Sequence, residues 1–366
     1  MNTYIRLAKD YLFVLICFIG VILSGALRPA HNWDMIPYVA SAYISDGYSE
    51  EDLRSKTYDD VKNEVDSEKF TELTTGYLPA TVYRDWRSLY EMSKSFSVRV
   101  MYIESIRLIS KTGVSCSRAS RISSIIFASS CVILISMILS QLEIPQFFII
   151  LVIYYAGIHH LAEISTADAM ACFFSTLTLY CILSERNTLA FITISFLPLV
   201  RMDYIILSAF ALLYMFFFVS KTASLISLIA STMAYFFAIS HGANYGFLYY
   251  FNYTFIKIEP YPSKFVASKL VLDYVKPYMK CALDVFRHCN FSIYFFSAFI
   301  LLGKAINQQI NRLDYILIIS IVFLLVRLTF LPLYEWRYYS FTMIVSSVYL
   351  IHVCLKGWQG MKRAPV

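Results

Sequence analysis

The chain reads as an all-α polytopic membrane protein. Of its 366 residues 58% are hydrophobic and only 15% charged, and the mean hydropathy is +0.59, which is too apolar for a soluble globular domain. The 29 Tyr and 29 Phe suit wide interfacial belts. Apolar runs recur from end to end, with no internal repeat and no linker-like tract.

Taken in order, runs able to cross a bilayer at about 20 residues each lie near 11–27, 122–140, 146–160, 167–183, 188–200, 204–220, 222–240, 291–303, 314–333 and 341–355. The working expectation is about ten transmembrane helices in one domain, 1–366. Ser24-Gly25-Ala26 resembles a signal-peptidase site, yet the first run is long enough to remain as an anchor. Pro198 predicts a kink or break in its run.

Charge sets the orientation. With the N-terminus in the cytoplasm, the inner segments hold Arg6, Lys9, Arg186, Lys221, Lys304, Arg312, Lys356, Lys362 and Arg363 against Asp10, Glu143, Glu185 and Asp314. This positive-inside excess puts both termini in the cytoplasm. Residues 28–121 and 241–290 then form two extracytoplasmic loops. The first predicts short interfacial helices, ending in an amphipathic helix over Phe96–Ser110 with Val98, Tyr102, Ile106 and Ile109 on one face. The second is basic. The net charge of +6 lies mostly beside apolar runs, so membrane lipids, and not nucleic acid, are the expected partners. Most of the eight cysteines fall in apolar segments, and only Cys281 and Cys289 could pair in an oxidising compartment.

Ionisable residues in or beside spans are costly unless paired or hydrated. Here Asp34, His159, His160, Glu163, Asp168, Arg201, Asp203, Arg327, Glu335 and Arg337 all fall toward the outer ends. That one-sidedness predicts a single site at the outer leaflet. Asp34, in His31-Asn32-Trp33-Asp34-Met35, reads either as a general base for an incoming hydroxyl or as the cap of a helix starting at Met35. The segment from His159 to Asp168 reads as site lining, or as a connection in which Asp168 caps the next helix. His-His-x-x-Glu matches no standard zinc spacing, and no cofactor or metal is indicated. Arg201 either pairs with Asp203 or reaches a phosphate through its bidentate fork. Arg337, in Tyr334-Glu335-Trp336-Arg337-Tyr338-Tyr339, reads either as a substrate ligand or as a snorkelling arginine in an aromatic belt, and Arg327, inside its run, is a further candidate substrate ligand. No glycine-rich phosphate loop or nucleophile elbow is present.

Four motifs together resemble a known family. Trp33-Asp34-x-x-x-Tyr38 opens a long outer loop, Arg99-Val100-Met101-Tyr102-Ile103 leads toward the second span, and Asp168-Ala169-Met170-Ala171-Cys172-Phe173-Phe174 precedes Leu199-Val200-Arg201-Met202-Asp203. This pattern, over roughly 1–220 and 314–356, is similar to GT-C-type integral-membrane glycosyltransferases. The resemblance implies a GT-C-like fold and transfer of a sugar from a polyprenyl-phosphate donor to a cell-envelope glycan or lipid acceptor, with Asp34 as base. It also implies a bacterial inner membrane. The chain departs from the family in being short and in having one acidic residue where some members have two. An O-antigen-type polymerase or ligase and a transporter or flippase of lipid-linked sugars are the other readings.

Overall fold

A computed structural model describes residues 2–243, 245–287 and 291–363, and every regular element among them is helical. The first part of the chain forms α1 (Asn2–Leu27), α2 (Met35–Ser45), α3 (Glu50–Glu64), α4 (Ser67–Thr74), α5 (Tyr77–Arg84), α6 (Trp86–Ser97) and α7 (Val100–Ser110). Next come α8 (Cys116–Gln141), α9 (Ile149–Tyr155), α10 (Ile158–Glu163), α11 (Asp168–Leu183), α12 (Asn187–Val200), α13 (Ile205–Phe218) and α14 (Lys221–Ser240). The chain closes with α15 (Phe247–Phe255), α16 (Val271–Arg287), α17 (Phe291–Ile306), α18 (Arg312–Phe330) and α19 (Ser340–Arg363).

Local sequence explains many of these starts. Ser49, Asp66, Asp85, Ser115 and Ser220 each accept a backbone N–H of the following turn, which satisfies donors a helix cannot pair internally. At α18 Asn311 and Asp314 form a reciprocal capping box. The helix α8 also borrows a cap from far away. Asp60 of α3 is 7% exposed; it accepts the Cys116 amide at 3.0 Å and the Tyr43 hydroxyl at 2.6 Å, and also bonds the Ser117 hydroxyl.

Each expected apolar run is helical, but length separates them. Among the described residues four helices are long and apolar enough to cross a membrane: α1 over Asp10–Leu27, α8, α14 and α18; α16 and α17 meet that standard only when joined, giving up to five. The remaining runs form shorter apolar helices. At 1.5 Å per residue the 14 residues of α12 reach only about two-thirds of a hydrocarbon core of about 30 Å.

Three local expectations change. The run 146–160 is divided at Gly157, which takes φ +65° and separates α9 from α10. Pro198 sits in the last turn of α12 without interrupting it. The amphipathic helix over 96–110 is broken at Val98 and Arg99, and Tyr102 and Ile106 are fully buried in the protein core instead of facing lipid. Cys289 lies outside the described residues.

In the bundle, α8 packs against α1, α7, α10 and α11, and α11 continues to α12, which meets α13 and α14. A second group, α13, α18, α19 and α17, closes beside it through contacts of α19 with α9 and α11. Buried Ser117, Ala119, Ser120, Ser123, Ser124 and Ala128 let neighbours approach α8 closely, as small residues do in membrane helices. Above the bundle α2 packs on α3, α6, α7 and α8. The second long segment docks on α6: the Ser88 hydroxyl donates to Pro260 O at 2.7 Å, Tyr261 donates to Asp85 at 2.6 Å, and the amide and hydroxyl of Ser263 both donate to Glu91 at 2.9 Å.

Candidate functional site

Two backbone straps decide where Asp34 lies. The Ala30 amide donates to Glu163 O at 2.9 Å and the Ser165 amide donates to Asn32 Oδ1 at 3.2 Å, so the segment leaving α1 runs against the segment leading into α11. Asp34 therefore comes beside the N-terminus of α11. It occupies the cap position of α2 but makes no side-chain cap bond. Its carboxylate instead accepts from Arg337 Nη1 at 2.8 Å.

From there an alternating ionic network crosses the end of the bundle. Arg337 lies 3.8 Å from Asp168 and 2.7 Å, through Nε, from Glu335 Oε1. Asp168 pairs with Arg201 and accepts the Thr166 hydroxyl at 2.9 Å. Arg201 also reaches Asp203 at 3.1 Å, and Arg327 reaches the other oxygen of Asp203 at 3.0 Å. Arg327 further donates to Tyr338 O at 3.0 Å. The guanidiniums of Arg201, Arg327 and Arg337 lie 4.8, 4.6 and 4.9 Å from the centre of the Tyr338 ring, where its electron-rich face attracts each of them.

Burial makes this arrangement consequential. Arg327 is 3% and Asp168 4% exposed, so each charge must be matched by a near neighbour. In the loop before α19, burial pushes the Glu335 carboxyl above its ordinary range; Arg337 opposes the shift and the charges of Asp168 and Asp34 add to it. On α15 burial, with the Asp34 charge nearby, does the same to the Tyr253 phenol.

Of the residues singled out from sequence, Asp34, Asp168, Arg201, Asp203, Arg327 and Arg337 thus converge. The bland readings of two of them change: Asp34 is not a side-chain cap, and α11 is capped by Ala167 without a side-chain bond, with Asp168 its first residue turned to Arg201. The local Arg201–Asp203 pair exists and is one link of the larger network. His159, His160 and Glu163 stand apart. His160 bonds Glu163 at 2.9 Å, Glu163 accepts the Ser24 hydroxyl at 2.5 Å, and His159 stacks on Tyr154. Among the described residues their side chains come nearest the network at Trp336, whose ring lies 5.2 Å from His160.

Two contributors were not singled out. Tyr338 was visible only as part of an aromatic turn. Arg99 was visible only as the head of a motif. It stands at the α6–α7 break, donates to Ser95 O at 3.1 Å and covers the rings of Phe96 and Tyr38 at 5.0 and 5.7 Å. Its charge also reaches Asp203, but it has no ion pair among the described residues.

Two cavities lie elsewhere. One, of about 240 Å³, sits between Glu185, Tyr214 and Arg312, and another, of about 590 Å³, between α12 and α14. Neither reaches the ionic network. Among the described residues no group of three or more His, Cys, Asp or Glu could hold a metal ion. No protein family, characterised protein or solved structure matches the chain.

Proposed function

We propose that the protein is an integral-membrane glycosyltransferase of GT-C-like architecture with about ten spans, some of them short, and both termini in the cytoplasm. The reaction moves a sugar from a polyprenyl-phosphate donor to a cell-envelope glycan or lipid acceptor on the extracytoplasmic face of a bacterial inner membrane. One observation carries this reading: Asp34 is held by Arg337 in a network of four carboxylates and three guanidiniums where several apolar helices end.

Such a network stores a base beside the cations that its substrate needs. A donor phosphate competes with carboxylates for the fork of Arg337, because phosphate and carboxylate accept the same paired N–H groups. When phosphate takes that fork, Asp34 is released to accept a proton. The acceptor hydroxyl then gives its proton to Asp34, its oxygen bonds to the anomeric carbon, and the bond from that carbon to the phosphate oxygen breaks with inversion. Arg337, Arg201 and Arg99 hold the charge that develops on the departing phosphate. Aromatic faces at Tyr253 and Tyr338 supply walls on which a sugar can lie.

The decisive measurement is transfer of labelled sugar from a lipid-linked donor in membranes carrying Asp34→Asn. The expected result is loss of transfer by about 10²–10⁴-fold, the usual size of a general-base contribution, with expression and donor binding retained. Normal transfer by a well-expressed Asp34→Asn protein overturns the assignment and favours a mechanism based on a later loop.

A further inference from the structure

The amphipathic helix α16 has two apolar faces: one is buried against the protein, and the other is largely open among the described residues, with Phe286 meeting Phe291 of α17 at 5.9 Å at its end. At about 100° per residue its side chains fall into successive sectors. Pro277, Cys281 and Val285 are buried, and Tyr274 of the same sector bonds Asn252 and Ser268 O. The next sector holds Val271, Val275, Met279, Leu283 and Phe286. These side chains are open, with Val271 77%, Met279 63% and Phe286 78% exposed. Beyond them comes a row of Lys276, Lys280 and Arg287, all exposed, and only then the acidic pair Asp273 and Asp284.

A single hydroxyl fixes the level at which this helix lies. Tyr278 donates to Thr329 O at 2.7 Å, and Thr329 is in the last turn of α18, one of the helices long enough to cross a membrane. Phe330 of the same turn and Phe247 of α15 meet edge to face at 5.9 Å. The open apolar row of α16 is thereby held level with the end of a span, beside the ionic site.

We infer that α16 is a lipid-sensing strap: its open apolar row enters the membrane surface, and Lys276, Lys280 and Arg287 engage the phosphates of anionic phospholipids. The order of the sectors carries the assignment. Apolar residues bordered by a basic row are the pattern of a helix lying in the plane of a bilayer surface, and basic residues at that depth meet anionic headgroups. A symmetric antiparallel contact with a second copy would set the basic row against itself, which like charges oppose. The inference stands independently of the proposed reaction.

The test uses the full chain in vesicles of phosphatidylcholine, with and without phosphatidylglycerol, and phosphatidylcholine brominated in its acyl chains as quencher. Met279→Trp and Lys280→Trp are compared with the unsubstituted protein, each checked for a single monodisperse species. The expected result is a blue-shifted and quenched added signal for Met279→Trp and an unquenched one for Lys280→Trp. Phosphatidylglycerol deepens the quenching at position 279, and combining Met279→Trp with Lys276→Glu and Arg287→Glu removes that gain. Equal quenching at both positions overturns the inference, as does quenching that ignores phosphatidylglycerol. A position-279 signal that changes with protein density at fixed lipid composition assigns the face to a second copy and overturns it too.

Discussion

Arg201 joins two carboxylates, Asp168 and Asp203, at a place where water is scarce. Replacing it by Met removes one cation and leaves Asp168 dependent on Arg337 at 3.8 Å. Breaking one side of a buried pair costs about 3–5 kcal/mol, and that loss is the expected outcome for Arg201→Met in denaturant unfolding of the detergent-solubilised protein. Substitution of an exposed lysine such as Lys257 leaves the midpoint unchanged. The residues of this network were legible because a charge in an apolar run demands a partner whatever the fold. The partners themselves were not. Nothing in the spacing of Asp34 and Arg337 says that a loop 303 positions on supplies the guanidinium. His159, His160 and Glu163 obey the same polarity rule with partners of their own: Glu163 takes Ser24 and His160, and His159 stacks on Tyr154.

Elements position this site through few contacts, and two of these can be tested alone. Gly157 separates α9 from α10 at φ +65°, and a Cβ there would come within 2.7 Å of the Trp336 ring. Gly157→Ala therefore meets both an unfavourable backbone conformation and a ring that fixes the loop carrying Arg337. The expected destabilisation is about 1–3 kcal/mol, read as a lowered unfolding midpoint. Helix α6 gives the second case. The Tyr261 hydroxyl, helped by the Arg87 amide and opposed by burial, holds the Asp85 carboxyl below its usual range. Folding thus depresses this pKa, so its contribution is fully present above the ordinary aspartate range and is lost as pH falls through the lowered folded value. In Tyr261→Phe the largest part of that acid-dependent protection is lost. Hydrogen exchange of segment 259–264, compared between the two proteins at each pH, is expected to differ near neutrality and to converge in acid. The break between α6 and α7 had no sequence signature, because the apolar spacing of Val98, Tyr102 and Ile106 continues across it.

Across the whole molecule the apolar runs gave the helices but not their lengths relative to a bilayer. Short helices such as α11 and α12 are hydrophobic all round, and hydropathy alone does not tell a short span from a long one that ends early. What they share is a common end: Asp168 begins α11, Arg201 follows α12, and Arg327 lies in the last turn of α18. The opposite end holds its own pair, Lys304 and Asp314 at 2.8 Å, with Tyr349 donating to the same carboxylate. The proposed topology makes these ends chemically distinguishable. In a background with Cys289→Ser and Cys354→Ser, a membrane-impermeant thiol reagent applied to intact cells is expected to label Glu68→Cys and to spare Gln309→Cys. Labelling of the second and not the first inverts the orientation.

The Asp60 carboxylate that closes the first amides of α8 has a further consequence, for synthesis. It lies 56 positions before the amide that it accepts, in the second of the six short helices that follow α1. A growing chain therefore completes the start of its longest internal span only after the preceding loop has folded back on it. The start of α8 and the packing of the loop against it are thereby tied together.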